Sequence, residues 1–389
     1  MAADPSLSPS AGPLAGLRVL ELEAIGPGPF AAMMLADMGA DVLLVDRPSG
    51  SDLGLGHRRR HEVMLRGRRS VTLDLKSESG AAAALRLAER ADAIVEGFRP
   101  GVMERLGLGP EVLLARNPKL VYGRMTGWGQ DGPLAPRAGH DINYIALAGV
   151  LHAFGRKGQA PVPPLNLVGD FGGGGMLLGF GVACALLEAA RSGRGQVIDA
   201  AMVEGASLLA AMFAGFLKTR TWSEVRGVNI LDTGAPWYNV YPTKDGKYVS
   251  IGSIETRFYQ ELLQKLKLKD LGQHDRKRWP EMHKLFAKTF KSKTRAQWCK
   301  VFEGSDACFA PVLSWSEARR DAHNVFRNSF LEVSGVNQPA PAPRFSRTPG
   351  AVRRAPPERG QGGRQALLDW GFDHNTIKKL GSLGLGTKE

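Results

Sequence analysis

Short apolar runs that read as strands alternate with helical stretches through the first third of this chain, and that alternation limits the fold more than any other feature. Residues 17–22, 42–45, 71–75, 93–95 and 120–122 are β-like, and helices are expected at 30–38 and 81–90. Strands separated by helix-length connections build a parallel sheet, because a parallel neighbour is reached only by a crossover. The expected fold is α/β: a doubly wound, Rossmann-like large domain with right-handed crossovers. Helices are further expected at 142–151, 176–191 and 203–217, with a strand at 197–199. After about Thr221 the composition becomes richer in aromatic and charged residues. A smaller α+β domain is expected over 221–325, with a strand at 248–251 after the Asp245-Gly246 turn and a basic amphipathic helix at 281–291. Residues 1–220 then form the first part of the large domain and 326–389 return to complete it. Residues 337–364 read as a Pro/Arg/Gly-rich extended connector.

The 389 residues include 51 Lys and Arg against 38 Asp and Glu, a net charge of +13. A basic balance suits nucleic acid, an anionic membrane surface or a phosphate-rich ligand such as coenzyme A. No aromatic-interleaved stripe or nucleic-acid motif accompanies the charge, which argues against nucleic acid. Cys184, Cys299 and Cys308 are too few and too widely spaced for a disulfide framework or a C-x-x-C metal site. Cys184 reads as a small core residue of an apolar helix. No run of about 18 apolar residues stands out, so no membrane span is expected. Residues 1–13 read as a loose Ala/Ser/Pro-rich leader without a secretory pattern. The final Gly386-Thr387-Lys388-Glu389 is not a peroxisomal tail. Location is left at mitochondrion or peroxisome for a eukaryotic chain and cytoplasm for a bacterial one.

Four constellations carry chemistry. Gly139-His140-Asp141-Ile142-Asn143-Tyr144 opens a helix. The positive helix end favours a neutral imidazole, able to act as a base, and its free N–H groups can hold a developing oxyanion. A capping or packed histidine would give the same pattern. Asn166-Leu167-Val168-Gly169-Asp170-Phe171, followed by four glycines, sets a carboxylate on a turn open to a ligand, with Asn166 able to orient it; Asp170 could equally N-cap the next helix. Glu255 follows a strand of the small domain and could fix the tautomer of a histidine, or be a plain exposed acid. The basic stretch Arg47, Arg58, Arg59, Arg60, Arg66, Arg68 and Arg69, with Arg99 and Arg105 later, offers forks for phosphate. Arg58-Arg59-Arg60 reads better as a solvated loop. Gly26-Pro27-Gly28-Pro29 is neither a dinucleotide fingerprint nor a P-loop.

These residues, with Val45-Asp46-Arg47-Pro48, Phe98-Arg99-Pro100-Gly101-Val102 and Gly195-Gln196-Val197-Ile198-Asp199 in the same order, resemble the α-methylacyl-CoA racemases of the family III CoA-transferase superfamily. The resemblance runs from Leu17 to about Ser346. It implies that His140 and Asp170 are the two acid/base groups on opposite faces of the substrate, that Glu255 pairs with the His and that Asn166 pairs with the Asp. It implies coenzyme A binding by Arg47, Thr72, Leu73, Asp74, Leu75, Arg99, Arg105 and Tyr144, with Gly139 and Asp141 beside the substrate. It implies an interlocked homodimer with shared active sites, and neither a metal nor a redox cofactor, coenzyme A being part of the substrate. The expected reaction is exchange of the α-proton of a 2-methylacyl-CoA through an enolate. One rival is a CoA-transferase of the same superfamily, with Asp170 attacking the thioester as a nucleophile. Another is a basic, non-catalytic protein that binds coenzyme A or nucleic acid.

Overall fold

The computed structural model describes residues 12–49 and 58–387. Most of the expected leader, His57 and the last two residues lie outside them. The chain opens with β1 (Arg18–Leu22), α1 (Pro27–Asp37), β2 (Asp41–Asp46), β3 (Arg68–Thr72), α2 (Glu78–Ala88) and β4 (Ala93–Glu96). Next come α3 (Val102–Arg105), α4 (Pro110–Arg116), β5 (Val121–Thr126), α5 (Asp141–Leu147) and α6 (Val150–Ala153). A π-helical segment, Leu167–Met176, runs directly into α7 (Leu177–Ser192), followed by β6 (Val197–Ala201), α8 (Met202–Leu209) and α9 (Ala211–Lys218).

The six strands form one sheet in the order β3-β2-β1-β4-β5-β6, and every pair is parallel. Successive side chains of a strand point to opposite faces, so a sheet buried on both sides needs two cores. Val19 and Val42 join one core with Ala31, Ala32 and Leu35 of α1 and Leu178, Val182 and Ala185 of α7. Leu20, Leu22 and Leu43 join the other with Ala84 and Leu87 of α2 and with Leu367 and Trp370 near the C-terminus. Helices on both faces make the fold doubly wound, as the strand–helix alternation implies. The strand order reverses between β1 and β4, and in such sheets ligands bind beyond the carboxyl ends of the strands near that point.

Residue contacts divide the chain into two compact units. The parallel sheet lies in the first, which takes the described residues up to Ala148, Leu165–Leu209 and those from Asn328 onward. The second comprises Gly149–Pro164 and Ala210–Arg327. It holds an antiparallel sheet, β7 (Tyr238–Pro242), β8 (Tyr248–Gly252) and β9 (Phe309–Val312), with α10 (Thr256–Leu266), α11 (Trp279–Phe290) and α12 (Arg295–Phe302). Trp279, Met282, Phe286 and Phe290 recur at helical spacing on α11 and enter an aromatic core with Trp237, Tyr259 and Trp298.

Several expectations are corrected. The helix after His140 ends at Leu147, because Gly149 takes a left-handed φ of 77° that stops it. The third strand is Arg68–Thr72, three residues earlier than expected. The 337–364 connector starts inside a strand: Val336–Pro339 pairs antiparallel with Phe330–Val333. Cys184 is exposed, not core. Among the described residues one helical run, Leu167–Ser192, is long and apolar enough to cross a membrane, although no such run stood out in the sequence. Leu178, Val182, Ala185 and Ala189 seat it against the parallel sheet.

The basic stretch is mostly internal. Arg66 pairs with Asp37 at 2.6 Å and Arg68 with Glu21 at 2.7 Å, all four side chains nearly or fully buried. Arg69 bridges Asp41 and Asp369. Arg59, expected in solvent, forks onto the buried Asp46 at 2.6 and 2.7 Å; Arg58 and Arg60 alone are exposed as expected. Phosphate cannot reach guanidinium groups already spent on buried carboxylates.

Candidate active site

The carboxyl ends of β2, β3 and β4 surround an open cavity of about 860 Å³, lined by Arg47, Leu73, Asp74, Leu75, Phe98 and Val102 among others. That volume suits a large ligand. Arg47 remains exposed at its rim, its guanidinium 5.7 Å from the Phe98 ring centre. Thr72 lies beside the cavity, its backbone paired with Gly386. Arg99 and Arg105 are exposed beyond β4, and a Cβ at Gly101 would stand 3.1 Å from the Arg105 guanidinium.

The His and Asp constellations meet in the first unit. His140 is the N-cap of α5 and exposed, and its N–H donates to the Asn143 side chain at 3.1 Å. The N–H of Asp141 finds no acceptor among the described residues, as the first turn of a helix dictates. The alternative in which Asp170 N-caps the next helix does not hold. Asp170 lies inside the π-helical segment, a form that widens the turn and recurs at functional sites. Asn166, at its N-cap, donates to Asp170 Oδ2 at 3.0 Å. The Asp170 N–H donates to Asp141 Oδ1 at 2.7 Å. Burial pushes the Asp170 carboxyl above the usual aspartate range; the Asn166 hydrogen bond opposes the rise, the Asp141 charge adds to it, and His140 opposes it.

Tyr144 lies beside the site. Its hydroxyl donates to the Gly139 carbonyl, and its ring meets Trp128 edge-on at 4.7 Å. Burial, reinforced by the Asp170 charge and offset by Arg99, pushes its hydroxyl up to about 12. Tyr144 and Asp170 are thus electrostatic neighbours. Glu255 belongs to the second unit, exposed as the N-cap of α10, so it is not gathered with His140 inside the first.

Three features went unnoticed in the sequence. The Asp141 carboxylate, and not only its amide, belongs to the site. Gly26 flanks it: a Cβ there would stand 3.2 Å from Asp170 Oδ2, and its φ is 66°. Gly169 likewise leaves room for Asp141. The adjacency of Gly26 to Pro27 after a strand was the available signal.

The sequence model of CoA-transferase family III matches residues 14–362. A mouse protein named alpha-methylacyl-CoA racemase is 46% identical over 374 residues, 95% of this chain and 96% of its own length. The human protein of that name is 45% identical over 377 residues, again 95% of this chain and 96% of its own. The crystal structure of a CAIB/BAIF family protein from Brucella suis superposes with a TM-score of 0.80 at 25% identity, over 92% of this chain and all of that one.

Proposed function

This chain belongs to CoA-transferase family III, and from that premise we propose that it racemises 2-methylacyl-CoA thioesters, an isomerase of lipid metabolism. The observation that carries the reading is the meeting of His140, exposed at a helix start, with a half-buried Asp170 whose carboxyl is biased toward its neutral form. An α-proton beside a thioester is weakly acidic, so its removal needs an aligned base and support for the enolate oxygen. His140 takes the proton from the S-epimer. The unpaired N–H of Asp141 receives the enolate oxygen. Asp170, protonated at rest, delivers its proton to the opposite face, and the reverse direction exchanges the roles. Asn166 holds the Asp170 carboxyl in orientation. No step requires a metal or redox cofactor.

The coenzyme A moiety binds along the cavity of Arg47 and residues 72–75, with Arg99 and Arg105 for its phosphates. The working form is a homodimer in which Glu255 of one subunit reaches His140 of the other. Exposed apolar stripes support association: Met176, Phe180, Cys184 and Leu187 run along one face of Leu167–Ser192, and Met212, Phe216 and Leu217 are exposed on α9. In the transferase alternative Asp170 would attack as a carboxylate; its burial, which favours the neutral acid, argues against that role.

The test is α-deuterium incorporation from each pure epimer by His140→Ala and Asp170→Ala. Each variant is expected to lose about 10²–10⁴ in rate, with H140A failing most severely on the S-epimer. Normal racemisation by H140A overturns the reading.

A further inference from the structure

Asp141 has a side chain that the two-base reaction does not use, and its surroundings are unusual. The residue is 6% exposed. Its Oδ1 accepts the Asp170 N–H at 2.7 Å, while its Oδ2 is buried with no hydrogen-bond partner. No Lys, Arg or His pairs with it among the described residues. The neighbouring backbone is bare where the carboxylate seats: a Cβ at Gly169 would stand 2.5 Å from Oδ1. A buried anionic oxygen without a donor is costly, and such groups persist where their charge has a use.

Resting on the racemase reading, we propose that the Asp141 carboxylate is a positioning residue for Asp170, holding that acid's backbone and fixing where it stands relative to His140. The geometry is direct. Asp141 follows His140 at the head of α5, and its Oδ1 holds the backbone of Asp170 itself, so one hydrogen bond ties the two acid/base groups into one frame. The groups acting on Asp170 are few: Asp141 and His140 by charge, Asn166 by its hydrogen bond, and Tyr144 as a neutral neighbour with Arg99 beyond it. Of the charged ones, only Asp141 favours the neutral acid. With that charge removed, Asp170 gives up its proton at lower pH. The alkaline limb of the kcat/KM profile, set by loss of the Asp170 proton, then moves to lower pH.

The test uses the full-length protein with ¹³C-carboxyl-labelled aspartate, the Asp170 resonance being assigned from Asp170→Asn. Wild type is compared with Asp141→Asn and Asp141→Ser, two uncharged acceptors, so that one folded variant suffices. Asp170 is expected to titrate above ordinary aspartates in wild type and to become about tenfold more acidic in either variant. Racemisation in the variants is expected to lose kcat with KM changed less than about twofold, the alkaline limb of its pH profile displaced downward. An Asp170 titration unmoved in a folded variant overturns the proposal, since a merely structural Asp141 would leave it in place. Because the titration does not depend on turnover, a wild type that titrates as expected yet racemises nothing overturns the racemase reading alone.

Discussion

Arg47 and Arg68 carry the same group in one stretch of chain and do opposite work. Arg68 is fully buried and its guanidinium neutralises Glu21, itself 1% exposed. Removing one partner of such a pair strands the other. Arg68→Ala is expected to cost about 3–5 kcal/mol of stability, measured by urea unfolding. Burial holds the Glu21 carboxyl above its ordinary range, and Arg68 opposes that rise, so the penalty is eased where Glu21 can take up a proton. Arg47 lies exposed at the cavity rim over Phe98. Arg47→Ala is expected to raise KM for an acyl-CoA about tenfold with kcat nearly unchanged, the mark of lost uniform binding. Steady-state kinetics separate this from the Arg68 effect. Sequence reading could not sort the two arginines, because the acids that claim Arg66 and Arg68 sit on α1 and β1 and are brought in by the fold.

The decisive element is the π-helical segment Leu167–Met176. It carries Asp170 and crosses α8 so closely that neither side has room for a methyl group: a Cβ at Gly173 would stand 2.5 Å from the Ala206 backbone nitrogen, and one at Gly205 would collide with the Gly173 carbonyl. Gly173→Ala or Gly205→Ala is therefore expected to cost about 1–3 kcal/mol and, by shifting Asp170, to lower kcat further than KM. Thermal unfolding and kinetics on the same preparations check both parts. The four glycines were legible as a site of close approach, whereas the π form was not, since nothing in the residue pattern marks an i→i+5 turn. Strand–helix alternation gave away the parallel sheet because burial on two faces demands continuous apolar strands. It could not reveal which face of α7 is covered, because that helix is apolar all round; Cys184 was assigned to the core for this reason. The His140 and Asp170 stretches were both recognisable, but their meeting through Asp141 depends on the chain folding back across a separation of 29 positions.

For the whole molecule, the proposed homodimer implies that a single subunit does not complete a site. If each site takes His140 from one chain and Glu255 from the other, inactive His140→Ala and Glu255→Ala subunits are expected to regain activity when unfolded together and refolded as hybrids. Each hybrid then holds one intact site and one doubly damaged site. No recovery in a mixture shown to contain hybrids would mean that both residues come from the same chain. The most direct measurement of the central claim is incubation of one epimer of a 2-methylacyl-CoA with the protein in D₂O, followed by NMR and chiral separation. The two-base account predicts deuterium at the α-carbon and a near-equal mixture of epimers. Unexchanged substrate, with coenzyme A passing instead to an added carboxylic acid, would contradict it and make Asp170 a nucleophile.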